Sequence, residues 1–225
     1  LEGEKGFNET VLQGDMNFDT LIEGLGHFII DDAEYKPVVA SRTASGHIFA
    51  SLENAKKNNI NPADIERVDI YASTRVSEHT GNPSKKYPYN KESADHSIYF
   101  LTAVALTDRM VGLGQYSQEK YNDPAIKELI GKVVVHADPE TFDLHHKAGG
   151  RSVVTMKDGT VYDTTVLEPV GDNTTNPMTD QQMEEKFFDC ACRVMSRQQA
   201  ETIRDAIWNI DSCEDIGEFM KLLTF

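Results

Sequence analysis

The nine residues Ile98-Tyr99-Phe100-Leu101-Thr102-Ala103-Val104-Ala105-Leu106 form an apolar run that is too long for a typical strand. The run reads as a buried helix, and the rest of the fold has to supply its cover. The segment feeding into it, Lys91-Glu92-Ser93-Ala94-Asp95-His96-Ser97, gives that helix a polar, ionisable N-terminus. Ser93 is the expected N-cap, and Asp95 and His96 fall in the first turn. The positive end of the helix dipole favours an anion there and disfavours an imidazolium, so His96 is expected to exchange hydrogen bonds or protons with a substrate near neutral pH. The alternative is a structural histidine in a capped core helix.

Composition sets the class. Of the 225 residues, 39% are hydrophobic, enough for one large domain or two small ones. No stretch is long enough to span a bilayer, and the N-terminus has neither a basic region nor a signal-like apolar core. The cysteines Cys190, Cys192 and Cys213 make no disulfide framework and suit a reducing compartment, so the cytoplasm or an organelle matrix is expected. A net charge of -15 and the lack of a basic stripe argue against nucleic-acid binding. In so acidic a chain an anionic substrate needs a locally positive pocket, for which Lys36, Arg42, Arg75, Lys85, Lys86 and Lys91 are the available cations.

The organisation along the chain predicts an α+β fold. Residues 1–34 read as a lead-in segment with a short helix from Phe18 to Leu25, closed by Gly26. Residues 35–169 read as an α+β unit. In it, Ile48, Leu52 and Ala55 have helical spacing, whereas Val68, Ile70 and Ala72 alternate with polar neighbours as in a half-buried strand. A Pro124-started helix with Ile126, Leu129 and Ile130 on one face follows. Strands are then expected over Lys132–His136, Ser152–Met156 and Thr160–Leu167, the last two joined through Asp158-Gly159. Residues 170–225 turn all-helical, with starts at Thr179, Ser196 and Ser212, and they carry more apolar side chains than three short helices can bury on themselves.

Lys36-Pro37 is the most chemical site in the chain. The proline holds Lys36 in an extended backbone, placing it at the end of a strand or loop just before a helix. His47 lies at the start of that helix and faces either a pocket or solvent. His145-His146 has no third ligand at a standard spacing, so no zinc site is expected. Cys190 and Cys192 diverge around a helix and read as packing residues. Glycine-rich phosphate loops, nucleophile elbows and paired-carboxylate helices are not found in the sequence.

These residues carry a resemblance to a known family. Glu92-Ser93-Ala94-Asp95-His96-Ser97 through Ala103-Val104-Ala105-Leu106-Thr107-Asp108 resembles a segment of the MmgE/PrpD family, which includes 2-methylcitrate dehydratase and cis-aconitate decarboxylase. Further matches follow in family order, among them Tyr35-Lys36-Pro37 with Ser41-Arg42, Pro62 to Val68, Lys157-Asp158-Gly159 and Asn176-Pro177-Met178-Thr179. The resemblance implies an α+β lid domain whose C-terminal helices return to an all-helical domain built largely from an N-terminal half. It also implies a cofactor-independent lyase for a small tricarboxylate, with 2-methylcitrate dehydration first and cis-aconitate decarboxylation or iminodisuccinate epimerisation as alternatives. A non-catalytic fragment or partner subunit is the reading from another class. By this resemblance Lys36 is the catalytic candidate, and Ser41, Arg42, His47, Lys91 and His96 are the substrate-binding candidates. The partners it implies are the tricarboxylate, the helical N-terminal half and a second copy in a dimer. Where relatives place a cysteine or histidine this chain has Ser41, which binds a carboxylate but is a poor proton donor.

Overall fold

The computed structural model describes residues 3–14, 17–26, 30, 33–144 and 148–224. His145 and His146 lie outside these residues. The chain divides into two compact units, Leu1–Ala33 and Glu34–Phe225. In the first, α1 (Phe7–Thr10) is a single turn. The helix expected from Phe18 to Leu25 is instead a 3-10 turn, Phe18–Leu21, opened by the Asn17 side chain accepting from the Asp19 N–H. Gly24 and Gly26 adopt φ of +81° and +103°, which a regular helix excludes.

The second unit is built on a four-stranded sheet in the order β2-β1-β3-β4. Strand β1 (Ile65–Ala72) pairs in parallel with β2 (Val133–Ala137) and antiparallel with β3 (Gly150–Met156), which forms a hairpin with β4 (Val161–Val166). The hairpin turns at Asp158-Gly159, where Gly159 takes φ +87°. Between β1 and β2 run α3 (Thr74–His79), α4 (Lys91–Ala94), α5 (Ile98–Asp108), α6 (Gln118–Asn122) and α7 (Pro124–Lys132). Ahead of β1 lies α2 (Ser45–Lys57), and α8 (Pro139–Phe142) follows β2.

The apolar run forms α5, and every residue from Ile98 to Leu106 is buried. This helix is flanked by α2 and α7 and also touches the sheet, the surroundings that an all-apolar helix requires. Ile65, Val68, Ile70 and Ala72 of β1 join the same core, while the alternate positions Asp69 and Tyr71 lie on the opposite face. There Tyr71 stacks on His136 with ring centroids 4.7 Å apart, and His136 Nε2 meets Asp69 Oδ1 at 2.6 Å.

The first turn of α2 is crossed at backbone distance by Ala148 and Gly149, just ahead of β3. The Gly46 N–H donates to the Ala148 carbonyl at 2.9 Å, and a Cβ on Gly46 would lie 2.2 Å from Gly149 C. Only glycine fits this crossing.

After β4 come α9 (Asp180–Ala191), α10 (Arg197–Trp208) and α11 (Ile216–Lys221). Thr179 and Gln182 form the expected capping box, and Ser196 caps α10. The third start differs from expectation: Asp215, not Ser212, caps α11, because Asp215 Oδ1 accepts from the Gly217 N–H. Phe188, Ala191 and Ala200 form a small core distinct from the main one. Cys190 is half-buried, but Cys192 ends α9 exposed, so only the first matches a packing role.

Candidate functional site

The polar segment before α5 folds as a break between two helices, and this corrects the expected single capped helix. Asn90 caps α4: its side chain accepts from the Ser93 N–H, and Ser93 Oγ accepts from the Asn90 N–H. Ser93 is therefore a first-turn residue. Asp95 terminates α4, and Ser97 caps α5 by accepting from the Phe100 N–H at 3.2 Å. His96 thus precedes the cap instead of sitting in a first turn, and the dipole argument does not apply to it.

Asp95 is the hub of this break. It is buried; one carboxylate oxygen takes the Lys91 ammonium at 2.8 Å and the other takes His96 Nδ1 at 2.5 Å. The hydrogen bond from Lys91 to Asp95 raises the lysine's pKa, so this ammonium stays charged. Holding Nδ1 fixes the imidazole orientation and leaves Nε2 as the nitrogen without a partner among the described residues. His96 lines a polar groove with His79, Ser84, Lys85, Tyr87 and Asn90. Sequence reasoning missed this ion pair, which the i,i+4 spacing of Lys91 and Asp95 could have signalled.

The loop bearing the other candidates is tied to this hub. The Ser41 N–H donates to the Asp95 carbonyl at 3.0 Å, while Ser41 Oγ lies 3.0 Å from Thr43 Oγ1. Arg42 opens the short 3-10 turn before α2, and its Nε donates to Glu34 Oε2 at 2.8 Å. The Arg42 Nη1 is buried without a hydrogen-bond partner among the described residues. Tyr116 completes the neighbourhood: its hydroxyl donates to the Val39 carbonyl, and Lys91 Nζ lies 5.5 Å from its ring centroid. Burial is the main cause raising the Tyr116 pKa, which keeps the phenol protonated. Sequence reasoning missed Tyr116 because its contacts are fixed by tertiary packing.

Lys36 is exposed on irregular backbone, the loop rather than the strand of the two expected settings. Its carbonyl accepts from the Lys186 ammonium of α9. His47 departs from both expected orientations: it is 0% exposed, with neither ring nitrogen partnered among the described residues. Burial lowers its pKa to about 3, so the ring is neutral and belongs to the interior.

Ligand atoms of Glu92, Asp95 and His96 lie within 4.8 Å of one another. As a metal site this group is poor, because Lys91 already neutralises Asp95 and His96 Nδ1 is engaged. The geometry suits proton transfer better: an imidazole held at Nδ1 by a carboxylate that also carries the Lys91 ammonium.

A second concave surface lies on the C-terminal helices, where Tyr35, Met178, Met183, Phe187, Ile207 and Trp208 line an apolar groove. Glu184 marks its edge, accepting from Trp208 Nε1 at 2.9 Å and Arg204 Nη1 at 3.1 Å.

Residues 39–212 match the family model described as the MmgE/PrpD C-terminal domain. The chain belongs to the MmgE/PrpD family. Cis-aconitate decarboxylase of Homo sapiens is 23% identical over 140 residues, covering 62% of this chain and 29% of that protein. The Mus musculus protein of the same name is 21% identical over 140 residues, covering 62% and 28%. The match thus covers less than a third of the length of these curated relatives.

Proposed function

We propose that this chain is the substrate-closing half of a lyase that eliminates water from a small tricarboxylate, with 2-methylcitrate as the first candidate. The observation carrying this reading is the Asp95 hub: its buried carboxylate orients His96 and fixes Lys91, and its backbone carbonyl accepts from the Ser41 N–H of the loop that carries Arg42. Water elimination needs a base for the proton α to a carboxylate, cations to hold the developing charge, and an acid for the leaving hydroxyl. Lys36 and Arg42 are assigned to the substrate carboxylates, with Ser41 as an additional donor. His96, through Nε2, is assigned to proton transfer, the task for which Ser41 is unsuited. His47 has no accessible surface and is left out of this set.

The base belongs, on this reading, to an all-helical domain that docks on the apolar groove of α9 and α10, and the complete enzyme works as a dimer in the cytoplasm or an organelle matrix. Among the described residues no helix is long and apolar enough to cross a membrane. The test is turnover by the complete two-domain protein: His96→Gln should lower kcat by about 10²-fold or more. An unchanged kcat in a folded variant would remove His96 from the mechanism.

A second reading is decarboxylation of cis-aconitate, favoured by the name shared by both curated relatives. Release of CO2 from cis-aconitate, without dehydration of 2-methylcitrate, would select it.

A further inference from the structure

The stretch from Ala33 to Ala40 has no helix or strand of its own, yet the backbone on either side of Lys36 is held by residues far along the chain. On the N-terminal side, the Tyr35 N–H donates to the Gly171 carbonyl at 2.9 Å. On the C-terminal side, the Lys36 carbonyl accepts from the Lys186 ammonium. The Glu34–Arg42 ion pair at 2.8 Å then closes the loop on itself.

Gly171 is irreplaceable on geometric grounds. Its φ is +107°, and a Cβ there would lie 2.0 Å from the Tyr35 carbonyl oxygen. The turn that carries it is braced. Asp172 Oδ1 accepts from Thr174 N and Thr175 N at 2.9 Å each, and the Gly171 N–H donates to the Asn176 carbonyl at 2.8 Å. A braced turn and a helix-borne ammonium therefore hold the backbone of a single exposed lysine. Ordering a surface loop costs conformational entropy, and a functional side chain gives that ordering a use.

We infer that Gly171 and Lys186 are positioning residues for Lys36: they fix the backbone from which its ammonium meets a substrate carboxylate. This rests on the reading of Lys36 as a carboxylate-binding residue, and the test separates the two. It uses the complete two-domain protein, with 2-methylcitrate and cis-aconitate as substrates. The variants are Lys36→Ala, Lys186→Met, Lys186→Arg, Gly171→Ala and the double variant Lys36→Ala/Lys186→Met.

Lys186→Met should raise KM by about fivefold with kcat changed less than about twofold, and Lys186→Arg should restore most of the loss. In the Lys36→Ala background, Lys186→Met should add less than about twofold, because its effect passes through Lys36. Gly171→Ala should act in the same direction where it folds; Lys186→Met carries the test where it does not. If Lys36→Ala raises KM and Lys186→Met leaves it unchanged, or if the two effects multiply, the positioning role is overturned while Lys36 keeps its own. If Lys36→Ala changes neither constant on either substrate, or neither substrate is turned over, the reading of Lys36 fails and the inference falls with it.

Discussion

The backbone N–H of Ser41 donates to the carbonyl of Asp95 at 3.0 Å, joining the loop that carries Lys36 and Arg42 to the turn that carries His96. Two segments more than fifty residues apart thereby share one neighbourhood, and the shared atom belongs to the residue that also holds Lys91 and His96.

Removing the hub's charge tests how much it holds. Asp95→Asn keeps the shape but loses the attraction to Lys91 and weakens the grip on His96 Nδ1. The Asp95 side chain is only 10% exposed while Lys91 is 50% exposed, so the pair is partly screened and the expected loss is about 1–3 kcal/mol. Urea unfolding measures it; an unchanged midpoint would show that the ion pairs contribute nothing net.

His47 predicts an acid-side signature. Burial depresses its pKa from 6.5 to about 3, so below pH 6.5 the unfolded chain takes up a proton that the folded one refuses. The corresponding stability is complete above pH 6.5 and is lost as the pH falls toward 3, at up to about 1.4 kcal/mol per pH unit. His47→Leu removes the titrating group and its two unpartnered nitrogens, so its stability should decline less steeply than the wild type across that window. Parallel stability curves for the two proteins would contradict the assignment.

Much of the fold was legible in the sequence because local rules and tertiary demand agree there. The apolar run of α5, the alternation in β1, the proline start of α7 and the Asp158-Gly159 turn each have one physical solution, and the structure adopts it. The break at Asp95-His96 was not legible, since Ser93 and Ser97 are both competent caps and only the packing of Asp95 against Ser41 and Lys91 decides between them. Nor was the burial of His47: a histidine on the first turn of a helix carries no mark of the glycine crossing above it. The roles proposed for Lys36 and Arg42 come from the resemblance, whereas Tyr116 and Lys186 enter only through contacts distant in sequence and Glu34 through an ion pair with Arg42.

That crossing yields a stability prediction. Gly46→Ala forces a methyl group to within 2.2 Å of Gly149 C, and backbone cannot swing aside as a side chain can. The expected cost is at least about 2 kcal/mol, read as a lower thermal midpoint. A variant as stable as the wild type would mean that the two segments separate easily.

The apolar groove of α9 and α10 predicts association. Trp208 is 48% exposed and Ile207 44%, adjacent on one short helix, so these 225 residues alone should self-associate and be catalytically inert. Ile207→Asp should shift sedimentation toward monomer, and supplying the helical domain should suppress self-association and restore activity. A monodisperse monomer of these residues that turns over 2-methylcitrate would contradict both halves of this expectation.

The most direct measurement is the steady-state turnover of 2-methylcitrate by the complete two-domain protein and its Lys36→Ala variant, followed by formation of the unsaturated tricarboxylate. The account predicts dehydration by the wild type and at least about a 10-fold lower kcat/KM for the variant, about 1.4 kcal/mol of transition-state binding. Absence of turnover by a folded wild-type protein, or a Lys36→Ala variant as fast as the wild type, would contradict it.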